Sequence, residues 1–257
     1  MFAHTPDGLR LAYDAIGQGP PLLLLQGLDE TRALWQDLGY VQRLRHAYTV
    51  ITMDRRGIGD SDKPAAPDAY DVARLCADVL AVLDACGVER AFLWGHSFGG
   101  SIGLQLAARS DRVIRAVIGG SFFGRVYPEE RVDPIIAWWE EIARAQAAGE
   151  LDTLDLDPEE AAFVVRTDLA ALIACWRALP SWPTVEPRQM RCPVFLYAGA
   201  ADERVAAPLR MRRPAIEAAG HMVRVFDGLD HEQEVRAIDV ALPPALTFLL
   251  EAQPSSH

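Results

Sequence analysis

Apolar positions along this chain fall into two alternating kinds of run. Short continuous blocks at residues 22–25, 48–53, 92–94, 113–118, 194–198 and 223–226 suit strands buried on both faces, because a parallel sheet covered by helices has no wet side. Between them the apolar residues recur at helical spacing. Leu34, Trp35, Leu38, Val41 and Leu44 mark one such face, and Val72, Leu75, Val79, Leu80, Val82 and Leu83 mark another that Gly87 stops. Residues 2–16 instead alternate around Pro6-Asp7-Gly8, the pattern of an antiparallel hairpin with a tight turn. Strands alternating with helices predict an α/β fold with a mostly parallel, doubly wound sheet of about eight strands. In such a sheet ligands bind beyond the carboxyl ends of the strands.

The rhythm breaks between residues 122 and 187. That stretch has no clear strand, helical runs at 133–148 and 158–179, and an acidic tract at 150–160. Trp138, Trp139, Trp176 and Trp182 fall there, with Phe122, Phe123 and Tyr127 close by. The pattern predicts a core made of residues 1–121 and 188–257, with residues 122–187 inserted as a helical cap over the strand ends. Most of these aromatics pack the cap's own interior. Candidates for lining an apolar pocket are Phe122, Phe123, Trp138, Trp139 and Trp176, together with Trp35 from the earlier helix.

The sharpest chemical signal is Gly95-His96-Ser97-Phe98-Gly99-Gly100, an apolar strand that passes at once into a helix with a serine at the corner. A turn this tight strains the serine backbone, and glycines two residues to either side leave room for it. The helix that begins there aims unpaired N–H groups and its positive dipole end at the site, where a developing oxyanion can be held.

Composition narrows the partners. With 257 residues the chain can bury one large core, and a formal charge of −11 leaves no basic face for nucleic acid or an anionic membrane. The longest apolar stretch near the start, residues 20–25, is far too short to span a bilayer, and no signal segment opens the chain, so a soluble, cytoplasmic protein is expected. Cys76, Cys86, Cys175 and Cys192 sit at scattered spacings, which favours free thiols over a disulfide frame or a zinc site. The polar tail at 253–257 is expected to be mobile.

Three stretches together give the chain a resemblance to the α/β-hydrolase superfamily over nearly its whole length. They are the serine corner, Asp54-Arg55-Arg56-Gly57-Ile58-Gly59-Asp60-Ser61-Asp62, and Gly199-Ala200-Ala201-Asp202 paired with Gly228-Leu229-Asp230-His231. The resemblance, to the capped esterase and lactonase-like branch with a serine nucleophile, implies the chain order nucleophile, acid, base. Ser97, Asp202 and His231 fit it, with Glu203 as the rival acid and Asp230 set aside as the histidine's neighbour. The stretch at 119–122, where some relatives keep the acid, has none. An oxyanion hole is implied at the backbone N–H groups of Leu28 and Phe98. Gln26-Gly27 stands where relatives usually show His-Gly. Asp29 and Glu30 are expected to begin the following helix, while Asp54, Arg56, Gly57 and Gly59 make a structural turn. His4, His46 and His221 read as hairpin, helix-end and surface residues, and His96 as a packing residue. A serine at the corner disfavours the dehalogenase and epoxide-hydrolase branches, which carry aspartate there.

The implied activity is hydrolysis of an ester, thioester or lactone of a small, largely apolar substrate through an acyl-enzyme, without metal or cofactor. Two alternatives keep the same residues: cleavage of a carbon–carbon bond in a β-diketone or ring-opened dienoate, and a ligand receptor with slow turnover.

Overall fold

The computed structural model describes residues 1–251; the tail expected to be mobile, at 253–257, lies outside the described residues. The alternating N-terminal segment folds into β1 (Phe2–His4) and β2 (Arg10–Gly17), and the continuous apolar runs become β3 (Pro21–Leu25), β4 (Thr49–Met53), β5 (Ala91–His96), β6 (Val113–Gly119), β7 (Val194–Gly199) and β8 (Met222–Phe226). These eight strands form one sheet in the order β1-β2-β4-β3-β5-β6-β7-β8. β2 runs antiparallel to β1 and β4, and every other neighbouring pair is parallel.

Helices cover both faces because the strands present apolar side chains to both. α1 (Leu34–Asp37), α2 (Tyr40–Leu44), α3 (Val72–Ala85) and α4 (Phe98–Arg109) precede β6; α5 (Glu129–Ala148), α6 (Pro158–Arg166) and α7 (Leu169–Ala178) lie between β6 and β7; α8 (Glu203–Ala218), α9 (Gln233–Arg236) and α10 (Ile238–Leu250) follow. Alternate residues divide the core. Leu23, Leu25, Leu93, Ile118 and Leu196 pack with α3, α4 and α8, whereas Leu22, Leu24, Phe92, Trp94 and Phe195 pack with α2 and α10. Each such side chain, taken wholly out of water, contributes about 1.5–3 kcal/mol.

Two expected helices are divided. The face from Leu34 to Leu44 is split by Gly39, whose φ of +84° is left-handed, so α1 and α2 meet at an angle. This turn drives Trp35 under the sheet, fully buried and edge-on to Tyr40 with ring centroids 5.0 Å apart, so it packs the core and does not line a pocket. The run at 158–179 breaks at Thr167, which is extended, and Asp168 then caps α7 by accepting from the Ala171 N–H. α5 starts at Glu129, ahead of the expected 133, with Glu129 and Glu130 favouring its dipole.

Among the described residues no strand intervenes between β6 and β7 beyond an isolated bridge from Gly124 to Val185. The turn after β4 is tied by a buried ion pair: Arg56 donates to both carboxylate oxygens of Asp78 on α3 at 2.7 and 2.6 Å, and to Asp7 in the first hairpin. All four cysteines are free thiols. No helix among the described residues is long and apolar enough to cross a membrane.

Candidate active site

The corner between β5 and α4 is as tight as its glycines allow. Ser97 sits at φ 55°, ψ −115°, and among the described residues it is the one non-glycine with positive φ. Holding it there costs of order 1–3 kcal/mol, which the surroundings must over-determine. They do so by close approach: a Cβ on Gly99 would lie 2.2 Å from the Leu25 carbonyl oxygen, and one on Gly95 2.5 Å from that of Gly99. The Ser97 N–H donates to Gly119 O at 2.8 Å and the Gly99 N–H to Gln26 O at 3.0 Å, locking the corner to β6 and to the loop after β3.

Three side chains from three strand ends then fall into line. His231 Nε2 is 2.8 Å from Ser97 Oγ, and His231 Nδ1 is 2.5 Å from Asp202 Oδ2. The loops after β7 and β8 reach each other because Ala200 donates to Phe226 O at 2.7 Å and Ala201 to Leu229 O at 2.9 Å. With Nδ1–H given to the carboxylate, Nε2 turns a lone pair to the hydroxyl and can take its proton. The Asp202 side chain is 1% exposed and that of His231 31%. Burial alone would raise the Asp202 pKa and lower that of His231; their hydrogen bond outweighs it, leaving Asp202 below and His231 above the ordinary range.

Two buried residues to which the sequence assigned no part in the chemistry hold this histidine. Glu234, fully buried, accepts from the Gly199 N–H at 3.1 Å, and its Oε1 stands 3.3 Å from His231 Nδ1. Burial pushes its pKa up. Its position three residues after His231 was the available signal. His96, expected only to pack, donates from Nε2 to His231 O at 3.1 Å, while its buried Nδ1 has no partner. Burial, then the charge of His231, lowers its pKa to about 3, so it stays neutral. Donor atoms of His96, His231 and Glu234 lie within 4.8 Å of one another. Both ring nitrogens of His231 are already engaged by Ser97 and Asp202, so the cluster works as a hydrogen-bond network rather than as a ligand set.

Leu28 and Phe98 border the same cavity as Ser97 and His231, and among the described residues neither backbone N–H has an acceptor. Arg55 sits behind both. Its guanidinium donates to Leu28 O and lies 5.1 Å over the Phe98 ring, is 6% exposed, and has no carboxylate partner among the described residues. Gln26 is turned to β4, donating to Met53 O at 2.9 Å. Asp29 and Glu30 do not begin a helix, since α1 starts at Leu34. Glu30 instead accepts from the Gly27 N–H at 3.0 Å, its pKa raised to about 7 by burial and then by Asp29.

The cavity has a volume of about 320 Å³ and takes walls from α5, α6 and α7. Of the expected aromatics it receives Phe122, Trp139 and Trp176. Trp138 is turned outward, 38% exposed, and Phe123 is buried against the His221 ring at 5.9 Å; with Trp35 in the core, these three do not reach the cavity. His221 is correspondingly no surface residue: its Nε2 meets Pro187 O at 2.8 Å and its Nδ1 accepts from the Val194 N–H at 3.3 Å. Tyr127, in the loop before α5, lines it too, as do Arg131 and Arg204; a single charged position on a helix carries no periodic signal that would have marked either arginine.

Similarity to known proteins bears on the family. The sequence profile of the alpha/beta hydrolase fold family matches residues 20–172. Curated relatives include an epoxide hydrolase from Siraitia grosvenorii, 35% identical over 109 residues (42% of this chain, 34% of that protein), and a putative carbamate hydrolase from Variovorax paradoxus, 44% identical over 101 residues (38% and 36%). The matched region thus spans about a third of the length of these relatives. Among solved structures, a hydrolase from Pseudomonas aeruginosa superposes with a TM-score of 0.76 at 27% identity over 97% of each chain. The enol-lactonase from Burkholderia xenovorans gives 0.77 at 23% identity, over 97% of this chain and all of that one. A strained serine between β5 and α4, a sheet of this order and the profile match lead to one conclusion: the chain belongs to the α/β-hydrolase fold family.

Proposed function

We propose that this protein is a serine hydrolase that cleaves a carboxylic ester, thioester or lactone of a small molecule. The observation that carries the reading is the unbroken line from Ser97 Oγ through His231 to Asp202, opening on a cavity of about 320 Å³ beside two unpaired N–H groups. In acylation Ser97 Oγ bonds to the carbonyl carbon as its proton passes to His231 Nε2. The carbonyl oxygen takes the negative charge and accepts from Leu28 and Phe98 N–H. Collapse expels the alkoxide or thiolate, which leaves with the proton from Nε2. A water molecule then repeats the sequence on the acyl-serine, giving up its proton to Nε2 and releasing the acid. Asp202 fixes the imidazole tautomer and stabilises the cation at each turn.

Helices α5 to α7 serve as a cap in this reading, closing the cavity over the strand ends so that charge develops away from bulk water. Relatives named as epoxide hydrolases do not bring that reaction here: opening an epoxide through an ester intermediate needs a carboxylate nucleophile, and residue 97 is serine.

Labelling with a serine-directed fluorophosphonate, followed by a panel of aryl esters of graded chain length, tests the reading. Ser97 carries the label, and Ser97→Ala loses the label and lowers ester turnover by about 10⁴-fold. Turnover that survives in Ser97→Ala at the parental rate overturns it.

A further inference from the structure

A pocket sized for an apolar ester need hold no cation, yet Arg131 and Arg204 both line this one. Arg131 stands in the first turn of α5 and Arg204 in the first turn of α8. A cation at a helix N-terminus faces the positive end of the dipole, so neither arginine is placed to serve its own helix, whose dipoles already meet Glu129 and Glu130 in α5 and Asp202 and Glu203 in α8. Arg131 donates to Val126 O at 2.9 Å and lies 5.9 Å from the Tyr127 ring, but among the described residues no carboxylate comes within 4.0 Å of it. Burial and then the charge of Arg204 depress its pKa. Arg204, its side chain 57% exposed at the cavity rim, makes one long ion pair among the described residues, Nε to Asp202 Oδ1 at 3.4 Å, and the other oxygen of that carboxylate is taken by His231. A third donor is idle: Trp176 lines the cavity, and among the described residues its buried indole N–H has no acceptor. Against these donors the lining residues include one acid, Asp29, exposed on the loop after β3.

We propose that the cavity selects substrates carrying a carboxylate away from the scissile carbonyl, with Arg131 and Arg204 as its receptors. A planar guanidinium presents paired N–H groups to the two oxygens of a carboxylate, and two such groups in a half-enclosed cavity hold an anion better than in open water. The anion offsets the mutual repulsion of the two cations. Identifying the scissile bond as an ester or lactone rests on the acyl-transfer reading above; the receptor for the carboxylate does not.

Binding therefore separates the two. Ser97→Ala protein, which holds esters without consuming them, is titrated calorimetrically with mono(4-nitrophenyl) pimelate and suberate and with the neutral heptanoate and octanoate esters. The acidic esters bind about tenfold tighter or more at low salt, and the gap narrows as salt screens it. Adding Arg131→Gln and Arg204→Gln together abolishes the gap, while Arg131→Lys restores part of it. Equal or weaker binding of both acidic esters, or a gap that survives loss of both arginines in protein whose circular dichroism is unchanged, overturns the proposal. If the acidic esters bind preferentially but the Ser97 protein hydrolyses no ester, the receptor stands and the hydrolytic reading falls.

Discussion

Glu234 Oε1 stands 3.3 Å from the same His231 Nδ1 that Asp202 Oδ2 meets at 2.5 Å, so two buried carboxylates converge on one N–H. Both favour the imidazolium, and His231 must be neutral to accept the Ser97 proton. The acidic limb of kcat/KM is therefore expected above the ordinary imidazole value of 6.5. Glu234→Gln keeps an acceptor for the Gly199 N–H but removes the charge that Glu234, its pKa raised by burial to about 7, carries above that pH. Its pH–rate profile should shift to lower pH, with a loss at the plateau below about tenfold. The same change made in Asp202→Asn should cost more than in the parent, because Glu234 is then the remaining group that can hold the tautomer. A profile that does not move assigns Glu234 to Gly199 alone.

Arg55 touches both Leu28 and Phe98, the residues whose N–H groups are proposed to receive the carbonyl oxygen. Its buried charge, without a carboxylate partner, favours negative charge developing at that point. Arg55→Met should lower kcat by about ten- to a hundredfold with little change in KM. Affinity for a boronic acid, which forms a tetrahedral anion on Ser97, should fall in parallel. Equal losses in binding substrate and boronate would mean that the side chain only packs.

His96 makes stability depend on pH. Its unfolded pKa is near 6.5 and its folded value about 3, so the unfolded chain binds the proton first and stability falls as the pH drops through that window. His96→Gln, which can still donate to His231 O, removes the titration. Urea unfolding measured from neutral pH downward should give a shallower slope for the variant than for the parent.

Arg56 and Asp78 bear on the fold rather than on the chemistry. Removing the guanidinium strands a carboxylate that is 1% exposed. Arg56→Met is thus expected to cost about 3–5 kcal/mol in urea unfolding. Replacing Arg56 and Asp78 together with apolar residues should recover a good part, since no fully buried charge is left uncompensated and Asp7, the other partner of Arg56, is partly exposed to water. A single variant within about 0.5 kcal/mol of the parent would show that Asp78 finds water instead.

Much of this architecture was legible because local pattern and tertiary demand coincide. Leu22 to Leu25 could only be a strand covered on both sides, and it is the centre of the sheet. The glycines at 95 and 99 announced close backbone approach, and the coordinates show carbonyl oxygens where their Cβ atoms would be. Ser97 was marked by its corner between strand and helix, and the resemblance to the superfamily implied Asp202 and His231 after later strands; those places bring the three within hydrogen-bonding distance. Aromatic residues were harder. Trp35, Phe123 and Trp138 have the same chemistry as Trp139 and Trp176; the turn at Gly39 sends Trp35 into the core, the rotation of α5 separates Trp138 from Trp139, and the loop after β6 packs Phe123 against His221.

The order of apolar runs and the turn residues between them determined the layers of this protein, since burying both faces of each strand leaves helices no other place to go. Composition fixed an acidic surface. What the linear pattern left open depends on side chains distant in sequence meeting in a region of low dielectric, where their charges and hydrogen bonds matter most. Glu234 is an ordinary helix residue until Gly199 and His231 close around it, Arg55 is one of two adjacent arginines until Leu28 folds back over it, and Arg131 and Arg204 become neighbours only because α5 and α8 start at the rim of one cavity.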